Sequence, residues 1–249
     1  KDPERVKKLL QGSANLEFWE TYDNKDVYPY LESANKKLSE LLALEAGNET
    51  KEAVVVEDET IQSDTTNSEL SLVEQLENDS VATGDPFAKF SKENPLFAVL
   101  PPAANGQGQL IAGAMVGTAL SKDTAAVNAY LGRKEIKDVF PRNLRFHWEV
   151  KPFVDTKGNE YFNMVAIKVN NREGLPALSG DVITNARPEF GNNDSRARVS
   201  MSMNGEGAKV WARLTRENIG KQVAVVLDDY VYTYPTVQNE IKGGSSEIT

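Results

Sequence analysis

Five consecutive apolar residues, Val223, Ala224, Val225, Val226 and Leu227, run straight into Asp228-Asp229. A run this short cannot cross a membrane, which takes about 20 apolar residues. It reads as a strand closed by a turn. Its neighbours carry compatible patterns. Residues 198–204 alternate, with Val199, Met201 and Met203 on one face. Residues 207–218 put Ala208, Trp211, Leu214 and Thr215 on one side of a helix that stops at Gly220. Residues 230–234 form the partner strand, closed by Pro235, and Glu247-Ile248-Thr249 begins another. Strand–helix–strand–strand with one exposed sheet face predicts an α+β layer, helices on one side of a mainly antiparallel sheet.

The rest of the chain reads as helix and strand on either side of an acidic segment. Residues 1–10 have helical spacing at Val6, Leu9 and Leu10, ended by Gly12. Residues 16–22 alternate as a strand with Leu16 and Phe18 on one face, and 26–46 are helical. A short helix around Phe87 and Phe90 is followed by a predicted strand over 96–100, broken by Pro101-Pro102. A buried strand within 110–120 and a helix from Ser121 to Gly132 follow, then a helical turn or two over 134–140. Residues 144–154 and 160–169 are two strands joined by a turn over 155–159.

Charge is concentrated in one place. The chain of 249 residues carries a net −9, and residues 45–80 hold eleven acids against Lys51, so the remainder is near neutral. That segment reads as a solvated insertion, with one candidate helix at Leu70, Leu72, Val73 and Leu76. Net acidity disfavours nucleic acid and anionic lipid as partners. There is no cysteine and a single histidine, His147. Thiolate chemistry is excluded, and a zinc site or a Ser-His-Asp triad is disfavoured. No catalytic, metal-ligating or cofactor-binding residue is assigned.

Several residues invite a chemical reading and support a structural one better. Asp228-Asp229 is a hairpin turn more readily than a carboxylate pair. Gly106 and Gly108 lack the Rossmann spacing, since Ile111 stands where a glycine is needed. His147 is expected on an exposed sheet face, and Trp211 in the core. Asp155, Asn159 and Glu160 do not follow a calcium-loop spacing.

An ordered series of motifs carries a family resemblance. It comprises Leu178-Ser179-Gly180-Asp181, residues 186–190, residues 198–204, Gly207-Ala208, residues 215–221, residues 223–228, Val231-Tyr232, Pro235-Thr236-Val237 and residues 241–244. This series resembles the SecD subunits of protein export, and Leu16-Glu17-Phe18 resembles an earlier strand of the same family. The resemblance implies a ferredoxin-like base, truncated at both ends, with a large inserted α+β head. It places the base at 1–27 and 175–249 and the head at 28–174, with 45–85 as the acidic, loosely structured insertion. It implies a region on the periplasmic side of the bacterial inner membrane, belonging to a membrane-embedded parent.

The implied role is non-enzymatic. The parent would assist proton-gradient-driven export of unfolded proteins, with the emerging preprotein, SecF and the SecYEG channel as partners. The proton-relay residues would lie outside this chain. Substrate contact is expected in the head, through an open sheet edge or an apolar groove, with no residue assignable. The alternative is a free-standing periplasmic polypeptide-binding or chaperone-like module.

Overall fold

The computed structural model describes residues 15–52, 86–190 and 197–248. The expected helix at 1–10, the candidate helix around Leu70–Leu76 and most of the acidic segment lie outside the described residues. Among those described, no helix is long and apolar enough to cross a membrane.

The strands are β1 (Leu16–Thr21), β2 (Met115–Leu120), β3 (Leu144–Trp148), β4 (Phe153–Val154), β5 (Glu160–Lys168) and β6 (Leu178–Ser179). They continue as β7 (Ile183–Phe190), β8 (Ala197–Met203), β9 (Val223–Leu227), β10 (Tyr230–Thr233) and β11 (Ser245–Ile248). The α-helices are α1 (Asn24–Glu52), α2 (Pro86–Glu93), α3 (Pro95–Val99), α4 (Thr124–Gly132), α5 (Lys134–Lys137) and α6 (Gly205–Glu217). The fold is thus a mixture of helix and antiparallel sheet, as the pattern predicts.

One sheet runs β10-β9-β1-β5-β2, with β3 and β4 also paired to β5 and β6 to β1. β1 sits at its centre. It pairs with β9 from Leu16↔Leu227 to Glu20↔Val223, and with β5 through Glu20↔Lys168 and Thr21↔Ile167. Because side chains alternate along a strand, this register sorts the sheet into two faces. Phe18, Val223, Val225, Met164 and Ala166 share one face, and Trp19, Ala224, Val226, Val165 and Ile167 share the other.

All the core helices lie on the first face. Helix α1 lays Val27, Leu31, Ala34 and Leu38 against it, joined by Leu96, Leu100, Val127 and Ile136. Helix α6 covers the β1–β9 end, where Trp211 meets Phe18 edge-on at 5.1 Å between ring centres. Asn204 caps this helix by accepting a hydrogen bond from Gly207 N–H at 2.8 Å. The small sheet β11-β8-β7 packs over α6 through Met201, Met203, Ile183 and Ile248.

The second face closes on itself. Trp19, Val165, Ile167, Ala224, Val226 and Val231 form one cluster. Val150 N–H donates to the Val231 carbonyl at 2.9 Å, and Glu149 bridges Val231 in parallel fashion, so β10 lies against the end of β3. Tyr234 enters the same cluster, and its phenol is held above its ordinary range by burial first, then by Glu149. Glu149 accepts from Asn163 Nδ2 at 2.9 Å, and Asn163 Oδ1 accepts from Thr118 Oγ1 at 2.9 Å.

Two expectations are corrected. Residues 96–100, predicted as a strand, lie in α3 and its C-cap, Leu100. Pro95 stands at the start of α3, where its missing N–H costs nothing. Leu96 and Leu100, four apart, both reach the core, which helical spacing allows. His147, expected on a solvated face, is half-buried, because the β9–β10 turn covers it and its Nδ1 lies 2.7 Å from the Asp229 carbonyl oxygen.

Two predictions test this architecture. A Cβ at Gly117 would sit 2.9 Å from both Leu100 Cγ and the Pro101 carbonyl oxygen, one of them backbone. Gly117→Ala is expected to cost about 1–3 kcal/mol by urea unfolding, the range for overpacking. Tyr234 holds its proton more tightly folded than unfolded, where its pKa is about 10. Its contribution is therefore intact below that pH and is lost as pH rises toward the folded value. Tyr234→Phe should flatten the alkaline fall of the urea midpoint, and an unchanged slope would contradict the burial of this phenol.

Candidate functional site

The fully buried stripe of α1 ends at Leu38, but the helix continues past it, with Leu41 and Leu42 half-buried against the same core. Leu42 and Ala43 on the next turn line a groove whose other walls come from α2, α3 and the β2–α4 corner. Helix α2 contributes no buried residue, and Phe87 is 64% exposed and Phe90 44% exposed. The groove has a volume of ≈ 980 Å³, with Leu42, Phe87, Val99, Leu120, Tyr130 and Tyr161 among its walls. Lys92, Lys122 and Asp123 stand at its polar margin.

The walls are fixed by buried polar contacts between segments distant in sequence. Asn35 is 4% exposed, and its Oδ1 accepts from Leu96 N–H at 3.1 Å and Phe97 N–H at 3.4 Å. Its Nδ2 donates to Asn94 Oδ1 at 2.9 Å, so one amide ties α1 to the start of α3. Ser39 Oγ donates to the Lys92 carbonyl at 3.0 Å, tying α1 to α2. Arg133 reaches Glu45 at 2.8 Å and links α1 to the α4–α5 corner. The groove is therefore formed before anything enters it.

A second cleft, of ≈ 470 Å³, lies among Asp23, Asp26, Lys168, Lys221 and Gln222. Its key polar groups already hold the chain in place. Asp23 Oδ1 accepts from Lys25 N–H at 2.9 Å and Oδ2 from Gly113 N–H at 2.9 Å, while Gln222 Oε1 accepts from Ala114 N–H at 2.6 Å. Gly113 adopts φ 123°, a conformation open to glycine, and so lets this loop approach Gln222. The neighbouring Tyr22 phenol is pushed up by burial, opposed by a hydrogen bond with Asn143. This cleft is a structural junction.

The residues singled out in the sequence do not assemble. Asp228 and Asp229 adopt φ 48° and 68°, the left-handed geometry of a tight hairpin turn. Gly108 belongs to a loop held by Asn105, whose Oδ1 accepts from Gln107 and Gln109 N–H. Asp155 organises its own turn, and its carboxyl is held below the usual range by the Asn159 side chain first, then by backbone N–H groups. Trp211 is 4% exposed and lies in the core. Among the described residues, no group of three or more His, Asp or Glu is placed to hold a metal ion. The groove was not legible in advance. Its one sequence signal is Phe87, an aromatic residue near the start of a short helix.

Comparison with known proteins gives a consistent result. The family model described as the SecDF P1 head subdomain matches residues 154–249. That match overlaps both the expected insertion, 28–174, and the expected C-terminal base, 175–249. The protein translocase subunit SecD of Rhodothermus marinus is 34% identical over 256 residues, which cover 100% of this chain and 35% of that protein. The protein translocase subunit SecDF of Thermus thermophilus is 43% identical over 75 residues, covering 30% of this chain and 10% of that one. A solved structure described as a membrane component SecDF that enhances protein export aligns over 94% of this chain and 84% of its own, at 22% identity and a TM-score of 0.27. Matched along its whole length by a SecD subunit, and over its C-terminal part by a SecDF family model, the chain belongs to the SecD/SecDF family.

Proposed function

We propose that this chain is the part of a SecD-type translocase subunit that contacts unfolded polypeptide during export, and that the preformed groove between α1, α2 and α3 is where it does so. The observation that carries this reading is the ≈ 980 Å³ groove with Leu42, Val99, Leu120 and Tyr130 among its walls. An apolar surface of this kind takes side chains from many sequences, because burial of apolar area is non-directional. Its preorganised walls reduce the ordering cost of binding.

The role is non-enzymatic, on the periplasmic side of the bacterial inner membrane, with SecF and the SecYEG channel as partners of the parent protein. The proton gradient acts on membrane segments outside this chain. Full-length alignment with about a third of a translocase subunit supports this reading over a free-standing chaperone-like module. We further propose a ferredoxin-like base at 1–27 and 175–249 carrying an inserted head at 28–174. The grouping of Phe18 with Leu178, Met201, Trp211 and Val225 in one core, and of the groove helices in another, supports this division.

The test is a titration with a reduced, unfolded protein followed by NMR. Amide shifts are expected at Leu42, Phe87 and Val99 at high micromolar concentration. Phe87→Ser should weaken binding about tenfold, or about 1.4 kcal/mol, while shifting stability by no more than about 0.5 kcal/mol, as an exposed position allows. Saturating substrate with no shift in the groove would remove the basis of this reading.

A further inference from the structure

Strand β3 pairs on one side with β5, from Leu144↔Lys168 to Trp148↔Met164. Its other side meets β10 at the C-terminal end, where Val150 N–H donates to the Val231 carbonyl at 2.9 Å. The backbone parity of the stretch before that follows from its partner. Ala166, opposite Phe146, already donates its N–H to the Ala114 carbonyl at 2.9 Å and accepts from Tyr22 N–H at 3.0 Å. The groups that do bond to β5 include Glu149 N–H, at the Asn163 carbonyl, and the Asn143 carbonyl, at Val169 N–H. Bonded pairs alternate along an antiparallel ladder. Arg145 and His147 therefore hold β5, while Phe146 N–H, Phe146 C=O and Leu144 C=O point away from it.

Four successive residues, Leu144 to His147, line one cleft of ≈ 1130 Å³. Neighbours in a strand point to opposite faces, so a cleft that touches all four lies along the edge of β3 and not on a face. Helices α4 and α5 bound it on one side and the β9–β10 turn on the other. On the helix side Phe146 meets Phe140 edge-on at 5.2 Å between ring centres, with Leu131 in the same wall. On the opposite side Arg145 donates to the Gly174 carbonyl at 3.4 Å, and among the described residues it pairs with no carboxylate. Lys137 and Arg142 also line the cleft, against Asp138 and Asp229.

One outward donor, two outward acceptors, an apolar wall and an unpaired guanidinium match one ligand chemistry. It is an extended backbone that pairs with Phe146, places an apolar side chain beside Phe146 and Phe140, and sets a carboxylate opposite Arg145. We propose that the edge of β3 accepts an added antiparallel strand from an extended polypeptide with an acidic residue next to an apolar one. This site rests on the polypeptide-binding role proposed above, but it shares no lining residue with the helical groove.

The test uses the full chain and a capped Val-Ser-Val-Glu-Val peptide, read by amide hydrogen exchange and NMR shifts. At saturating peptide, exchange at Phe146 should slow about tenfold, the worth of one net hydrogen bond. Arg145 and His147 should change little, because β5 already holds them. N-methylation of the central valine removes the N–H that the Phe146 carbonyl would accept and should abolish binding. N-methylation of the serine, whose N–H points away from β3, should leave binding within a few-fold. A Val-Ser-Val-Lys-Val peptide should bind a few-fold more weakly, the worth of one cross-strand charge pair, and Arg145→Glu should invert that order. No slowing at Phe146 beyond that at Arg145, full binding of the peptide methylated at its central valine, or an unchanged order in Arg145→Glu would each overturn the proposal. So would protection of Phe146 that rises with protein concentration alone, which would assign the edge to a second copy. Shifts confined to Leu42 and Val99 would overturn the edge and leave the groove reading standing. Protection at Phe146 with no shift at Leu42 or Val99 would support the edge and remove the groove.

Discussion

The six residues of β1 hold the described structure together. They pair with β9 on one side, and with β5 and β6 on the other, and so join segments more than two hundred positions apart. Phe18 and Trp19, adjacent in sequence, point to opposite faces and are both buried, at 0% and 3% exposure. Each fully buried ring of this size contributes about 1.5–3 kcal/mol of transfer free energy. Without this strand, the helices that form the groove and the layer that carries β11 would have no common sheet.

What the sequence showed depended on how local the signal was. The unit from Arg198 to Tyr234 was legible because each element carries its own pattern: alternation in β8, the apolar stripe of α6 with its stop at Gly220, and the apolar run of β9 ended by Asp228. The α3 segment was misread because five residues with Leu96, Phe97, Val99 and Leu100 satisfy strand and helix alike. Only Pro95 and the i, i+4 placement of the two leucines against the core decide between them. His147 was misplaced for a different reason: the turn that covers it lies more than eighty residues downstream. The groove was invisible because its walls come from four separated segments, brought together by Asn35, Ser39 and Arg133 through contacts that no local spacing announces.

The proposed groove would suit a protein that handles chains of no fixed sequence. A preformed apolar groove, as proposed for this chain, selects by area. Such a groove needs no catalytic group, and polar residues that might suggest one have structural roles: Asp23 and Gln222 hold a loop, Asp228 and Asp229 form a turn, and Glu149 accepts from Asn163.

Native-state hydrogen exchange tests that central claim most directly. If β1 unites the sheet, the amides of Ala166 in β5 and Val225 in β9 should exchange through one global opening, with the same free energy and the same denaturant dependence. Phe18→Ala should lower both together, by about 3–5 kcal/mol. Opening of β9 at a lower free energy than β5, or a Phe18→Ala effect confined to one of them, would show two independent units and contradict the account.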